Sequence, residues 1–301
     1  METPDNSRPV AGVFWMVVTG LLFVLVTAMV KYMGPRIPAA EAAFLRYILG
    51  LVLLLPMLRA VQRAHLSRGQ LGLFAIRGLA HSMGVWAWFF AMARIPIADV
   101  TAMNYLSPIY VTLGAALFLG EKLAFRRIAA VVMALIGAVI ILRPGFREVG
   151  PGHLAMLAAA LVFALSYLLG KRLTDETGPA VVVVMLSVVV PIGLAPLAFA
   201  VWVTPTMTEL ALLMGVAVIA TTGHFTMGLA FKAAPLTVTQ PVTFLQLVWA
   251  VTLGAVMFGE PADFWVVLGG SIIMASVLFI TLREAALKRR LRTPVVNATK
   301  L

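Results

Sequence analysis

The sequence contains no cysteine, which rules out disulfides, thiolate metal sites and cysteine nucleophiles. Charge is scarce too: 12% of the 301 residues are charged, against 62% hydrophobic. A soluble protein cannot hide that much apolar surface, because its exterior must be largely polar. Whole stretches, such as 128–142 and 179–203, carry no charge. Carboxylates are missing from the middle of every apolar run. Glu41, Asp99, Glu121, Glu209, Glu260 and Asp263 all fall near run ends. Proton-driven pumps usually carry protons on mid-membrane carboxylates. Only His81 and His224 are placed to do so here, so the chain leans toward a facilitator or weak His-based coupling. There is no HExxH, no Gly-x-Ser-x-Gly and no paired mid-run carboxylate. An intramembrane enzyme would therefore have no familiar residues to run on.

What remains is long apolar runs. A helix needs about 20 such residues to cross a bilayer core. The runs do not alternate apolar and polar residues, so they are not barrel strands. Ten spans are expected, near 11–33, 38–58, 70–93, 97–119, 124–143, 152–172, 179–202, 208–232, 235–258 and 262–282. The first run exceeds the ~7–15 residues of a signal h-region and has no small-residue cleavage site after it, so it reads as a span. The net charge of +11 suggests nucleic acid in a soluble protein. In a membrane protein it marks cytoplasmic loops. Arg8, Arg59, Arg63, Arg68, Lys122, Arg126, Arg127, Lys171, Arg172, Lys232, Arg283, Lys288, Arg289, Arg290, Arg292 and Lys300 lie on the side of the termini, 16 in all. Lys31, Arg36, Arg94, Arg143 and Arg147, 5 in all, lie on the other. Both termini are expected in the cytoplasm.

The chain repeats itself. Residues 96–121, "PIADVTAMNYLSPIYVTLGAALFLGE", return 139 positions later as 235–260, "PLTVTQPVTFLQLVWAVTLGAVMFGE". Both open on Pro and close on Gly-Glu. Near an offset of 140, Met16, Leu21, Phe23, Leu25 and Lys31 meet Met156, Leu161, Phe163, Leu165 and Lys171. Residues 1–150 are thus expected as one five-helix repeat and 151–301 as a second, ending in a basic tail. Five is odd, so the second repeat runs inverted. Inverted repeats build alternating-access transporters with a substrate site near the midplane.

Ten helices, the five-plus-five repeat and the Pro…Gly-Glu segments resemble the EamA-type transporters of the drug/metabolite transporter superfamily over residues 11–282. Within it the chain is most similar to bacterial exporters of amino acids and related metabolites, including aromatic amino-acid exporters. The resemblance implies an all-α inner-membrane carrier with a central cavity and no cofactor. Its partners would be a small solute and the bilayer, not nucleic acid, with a monomer sufficient. A broad-specificity drug exporter of the same fold is the alternative, and a channel or enzyme the alternative class.

Candidate site residues follow from helical spacing. Thr101, Asn104, Tyr105 and Pro108 share one face, and Gln240, Thr243, Phe244 and Leu247 share the matching face of the repeat. A polar stripe facing lipid is unfavourable. The stripes either line a pocket or bond neighbouring helices, and their duplication with aromatics favours the pocket. His81 shares a face with Trp88; Thr221 is its repeat partner, and His224 lies one turn along. A lone intramembrane His is also a common structural residue. Trp249 sits deep enough to be a wall. Arg46 and Arg77 lie about two turns inside their spans, either snorkelling to the surface or serving as a gate or an attractor for a substrate carboxylate. Pro96, Pro108, Pro235 and Pro241 are expected bending points. Without a mid-membrane carboxylate, a neutral or zwitterionic substrate is expected.

Overall fold

A computed structural model describes residues 9–119, 125–146, 148–234 and 236–292. Among them the chain is helical throughout: α1 (Pro9–Met33), α2 (Ala39–Gly50), a 3₁₀ segment (Leu51–Met57), α3 (Leu58–Gln62), α4 (Arg68–Met92), α5 (Ile97–Asn104), α6 (Ser107–Leu119), α7 (Phe125–Leu142), α8 (Pro151–Thr177), α9 (Pro179–Ala200), α10 (Met207–Ala233), α11 (Leu236–Thr243), α12 (Leu245–Phe258) and α13 (Phe264–Arg292). Six of these are long and apolar enough to span a membrane unaided: α1, α7 and parts of α8, α9, α10 and α13.

The elements follow the expected ten spans with local departures. The second span tightens to 3₁₀ at Leu51–Met57 instead of staying α-helical to residue 58. Pro56 lies in this segment, and a proline supplies no N–H to an α-helical ladder. The sixth span runs on to Thr177 and the tenth to Arg292, beyond the apolar residues. Charged residues end the hydropathy, but Lys, Arg, Glu and Leu are good helix formers, so the ladder of backbone bonds continues. Arg172 bonds Glu176 one turn on, at 3.0 Å.

The fourth and ninth spans are each broken. The fourth stops at Asn104 and resumes at Ser107. Pro108 cannot supply the N–H that the Asn104 carbonyl would accept, and the Tyr105 and Leu106 amides turn back to Ala102 and Met103 instead. The ninth breaks at Phe244. There the Leu247 amide bonds the Phe244 carbonyl at 3.0 Å, which frees the carbonyl of Thr243. The Tyr105 hydroxyl donates to that freed carbonyl at 3.0 Å. One hydrogen bond therefore links the two breaks.

The largest interfaces pair α4 with α8, α1 with α10, α7 with α13, and α9 with both α2 and α4. Each joins a helix before residue 143 to one after residue 150. Lipid tails are as apolar as leucine, so close packing rather than hydrophobic burial holds such helices together. At the α7–α13 crossing the backbones touch: a Cβ on Gly137 would sit 2.7 Å from the Gly269 carbonyl, and one on Gly269 2.5 Å from that of Gly137.

At the end where α1 finishes, side chains tie five turns together. Lys31 pairs with Glu260 at 2.6 Å and donates to the Ile95 carbonyl at 2.8 Å. Glu260 also accepts from the Ile97 amide at 3.0 Å, capping α5 across the halves. Arg36 pairs with Glu209, and Arg143 with Asp263. His153 meets Asp99 at 3.1 Å, and the buried Glu41 accepts from the Val203 amide at 2.8 Å. Gly259 ends α12 with φ +63°, which aims Glu260 back, and Gly254 has no Cβ to block its carboxylate. This explains the closing Gly-Glu of the second repeat. Gly120-Glu121 and Pro235 lie outside the described residues. At the other end, nearest the termini, α4 and α8 meet through an exposed bond from Gln70 to Glu176 at 3.2 Å.

Candidate functional site

Helices α1, α2, α4, α8 and α10 bring a cluster of rings and cations together at mid-bundle. Phe163 of α8 is its hub. Its ring meets His81 at 5.0 Å and Trp88 at 6.3 Å, both from α4, and stacks on Tyr167 at 6.1 Å. His81 is buried, and its Nδ1 pairs with the Ser166 hydroxyl at 3.0 Å. Across the bundle His224 of α10 meets Phe23 of α1 edge-on at 5.1 Å. Phe23 and Phe163 are repeat partners, so each half sets one phenyl ring against a histidine of the other.

Two arginines complete the cluster. Arg77 does not reach the surface. Its Nε donates to the Ser166 carbonyl at 3.1 Å and its Nη1 to the Val182 carbonyl at 3.2 Å, stapling α4 to α8 and α9. Gly170 makes room, since a Cβ there would lie 2.8 Å from the Arg77 Nε. Arg46 of α2 is 6% exposed and lies 4.3 Å over the Tyr47 ring. Among the described residues no acceptor lies within bonding reach of its guanidinium. Arg46 and Arg77 both act electrostatically on His81 and His224, and Tyr47 and Arg77 act on Tyr167. Tyr167 is 49% exposed despite these interior neighbours, so one face of it is open.

Of the residues picked from sequence, Arg46, Arg77, His81, Trp88 and His224 thus share one cluster. Others gather where the broken spans meet. Thr101 is buried and donates to its own Ile97 carbonyl at 2.9 Å, leaving that hydroxyl no proton to donate across the bundle. Tyr105 is buried, with its hydroxyl spent on Thr243. The Thr243 hydroxyl points at the Met274 sulfur, at 4.0 Å. Phe244 packs half-buried on the main core. Trp249 packs half-buried beside Val24, Ala28 and Ile97. Asn104 and Thr221 are half-buried, and Pro108 is exposed in the first turn of α6. The side chains of Gln240 and Pro241 lie outside the described residues.

Sequence reasoning left Phe163, Phe23 and Tyr47 out of the site. The signal for the first two was the repeat itself, which aligns them at an offset of 140. Tyr47 had no such signal.

A riboflavin transporter of Rhizobium johnstonii is 31% identical over 289 residues, covering 95% of this chain and 96% of that protein. An S-adenosylmethionine uptake transporter of Rickettsia prowazekii is 26% identical, covering 91% and 93%. A pseudopaline exporter of Pseudomonas aeruginosa is 25% identical, covering 90% and 96%. A crystal structure of another protein matches the fold at a TM-score of 0.61 and 19% identity, over 95% of this chain and 100% of that one. The EamA-like transporter family matches residues 10–143 and again 150–282, once per half. The chain is therefore a membrane solute transporter and belongs to the EamA-like transporter family of the drug/metabolite transporter superfamily.

Proposed function

We propose that the protein carries a small ring-bearing metabolite across the bacterial inner membrane by alternating access between two inverted five-helix halves. The observation that carries this is the ring-and-cation cluster on α1, α2, α4, α8 and α10, where each half sets a phenylalanine against the other's histidine. The interface pattern supports the inversion. Exchanging the halves maps α1–α10 onto α8–α4 and returns α2–α9 and α7–α13 to themselves. Such a layout places a site on the pseudo-axis.

The charge asymmetry of 16 against 5 supports cytoplasmic termini. The tied turns then form the outer seal, and the open side beside Tyr167 faces the cytoplasm. His65 and the C-terminal tail would be cytoplasmic, and Gly145 and Pro261 external. Single cysteines at these positions test it. Labelling of a cysteine at Gly145 only after permeabilisation reverses the orientation.

Riboflavin is the first substrate to test, given a 31% identical relative that carries it. The ring wall also favours an aromatic amino acid, the reading the sequence suggests. Direction follows the solute's own gradient. Counterflow in proteoliposomes preloaded with riboflavin or tryptophan should accumulate the matching radiolabelled solute, which neither a channel nor an enzyme does. Failure of both to exceed empty liposomes removes the substrate reading.

A further inference from the structure

Two arginines stand in the ring cluster, and among the described residues neither pairs with a carboxylate. Arg46 and Arg77 both act electrostatically on His81 and His224. Tyr47 and Tyr167 border them. The bundle's other buried acids are committed elsewhere: Glu41 to the Val203 amide, Asp99 to His153, and Glu209 to Arg36. All three sit in the tied turns at the far end.

The two arginines differ in what they do. Arg77 spends two donors on backbone carbonyls and holds three helices together. Arg46 spends none on any described residue, although only 6% of it is exposed. It lies over the face of Tyr47. A buried guanidinium presents a fork of donors that matches a carboxylate or phosphate in two places at once. None of the Arg46 nitrogens is among the enclosed unpaired polar atoms, so the unspent donors keep an open side, and charged residues kept inside a membrane mark substrate pathways. Phe163, Trp88 and Tyr167 stand on the adjoining α4–α8 wall.

We infer that the transported solute is an organic anion: a ring that lies against Phe163, carrying a carboxylate or phosphate that Arg46 takes. This rests on the carrier reading above and departs from the neutral or zwitterionic substrate that composition suggested. Arg77 supplies a second positive charge nearby.

The test uses purified full-length protein in phosphatidylcholine nanodiscs, free of anionic lipid, with binding read by calorimetry. Two probe sets hold the ring fixed and change the charge. One is flavin mononucleotide against riboflavin. The other is indole-3-acetate, tryptophan and tryptamine. The anion of each set should bind about tenfold tighter than its neutral or cationic sibling, the size of one charge-assisted hydrogen bond. Arg46→Gln should reduce that preference to within about twofold, and Arg46→Lys should keep part of it, with melting temperature as the folding control. Equal affinity within both sets in the wild-type protein overturns the inference while leaving the carrier reading standing. If neither flavin binds but indole-3-acetate outbinds tryptamine, the riboflavin assignment fails and the anion inference holds. If added phosphatidylglycerol abolishes the preference, Arg46 holds a lipid headgroup, and the inference is overturned.

Discussion

Tyr105 shows how a polar residue in a membrane helix finds its work. Its ring is 6% exposed and its hydroxyl bonds the Thr243 carbonyl. Interhelical hydrogen bonds in membrane proteins contribute ~0.6–1.7 kcal/mol. Tyr105→Phe should lower the melting temperature by a few degrees in detergent and leave substrate affinity unchanged, as calorimetry would show. Tyr105→Ala also empties core volume and should cost ~3–5 kcal/mol. Lost affinity in a stable Tyr105→Phe protein would return Tyr105 to the substrate site. Gly170 makes the opposite case, a residue with no side chain that decides where a charge rests. In Gly170→Ala the new methyl group, 2.8 Å from the Arg77 Nε, must displace the guanidinium from α8. Transport should fall by about tenfold with helical content intact by circular dichroism. The sequence allowed Arg77 either to snorkel or to act inside, and nothing in its own span could choose. The choice depended on carbonyls 89 and 105 positions away.

Helices pair here because their surfaces fit, and the α7–α13 crossing is the sharpest instance. Gly137→Val puts a branched side chain where a Cβ already lies 2.7 Å from the Gly269 carbonyl. A carbonyl on a helix cannot step aside as a flexible side chain does. The variant should lose several kcal/mol of stability, or aggregate on extraction, while Gly150→Ala, where nothing lies near a new Cβ, should not. Equal melting temperatures for Gly137→Val and wild type would show that the helices do not rest on that contact. The elements themselves were largely legible. Long apolar runs gave all ten spans, because a bilayer demands about 20 apolar residues whatever the fold. The break before Pro108 was legible as a missing donor. The break at Phe244 was not, because it falls after Pro241 and turns on the Leu247 amide bonding back to Phe244. The partners of Glu41, Asp99, Glu209, Glu260 and Asp263 were also hidden. Their positions at span ends could be read, but which turn each reaches depends on how the halves interleave.

Taken whole, the molecule is tied hard at one end. Glu260 alone contacts Lys31 and the first amide of α5, so it couples three segments. Glu260→Gln keeps the shape and removes the charge. In the cysteine-free chain, a cysteine at Pro261 should then react faster with a membrane-impermeant maleimide, by about threefold to tenfold, because the state that opens at this end is no longer opposed. An unchanged rate in Glu260→Gln and in Lys31→Ala would mean that this pair does not hold the end shut. The same knot decides where the chain can be lengthened. A loop accepts an insertion when its backbone is exposed and free of bonds. The turns around Lys31, Ile95, Arg143, Val203 and Glu260 fail that requirement, since each gives a side chain or backbone group to another turn. The turn between α3 and α4, where His65 is exposed and the backbone bonds stay within the turn, is the place to graft a fluorescent protein or a rigid fiducial for electron microscopy. A fusion there leaves every tie in place. One at the turn after α12 cuts the α5 cap and should yield protein that extracts poorly.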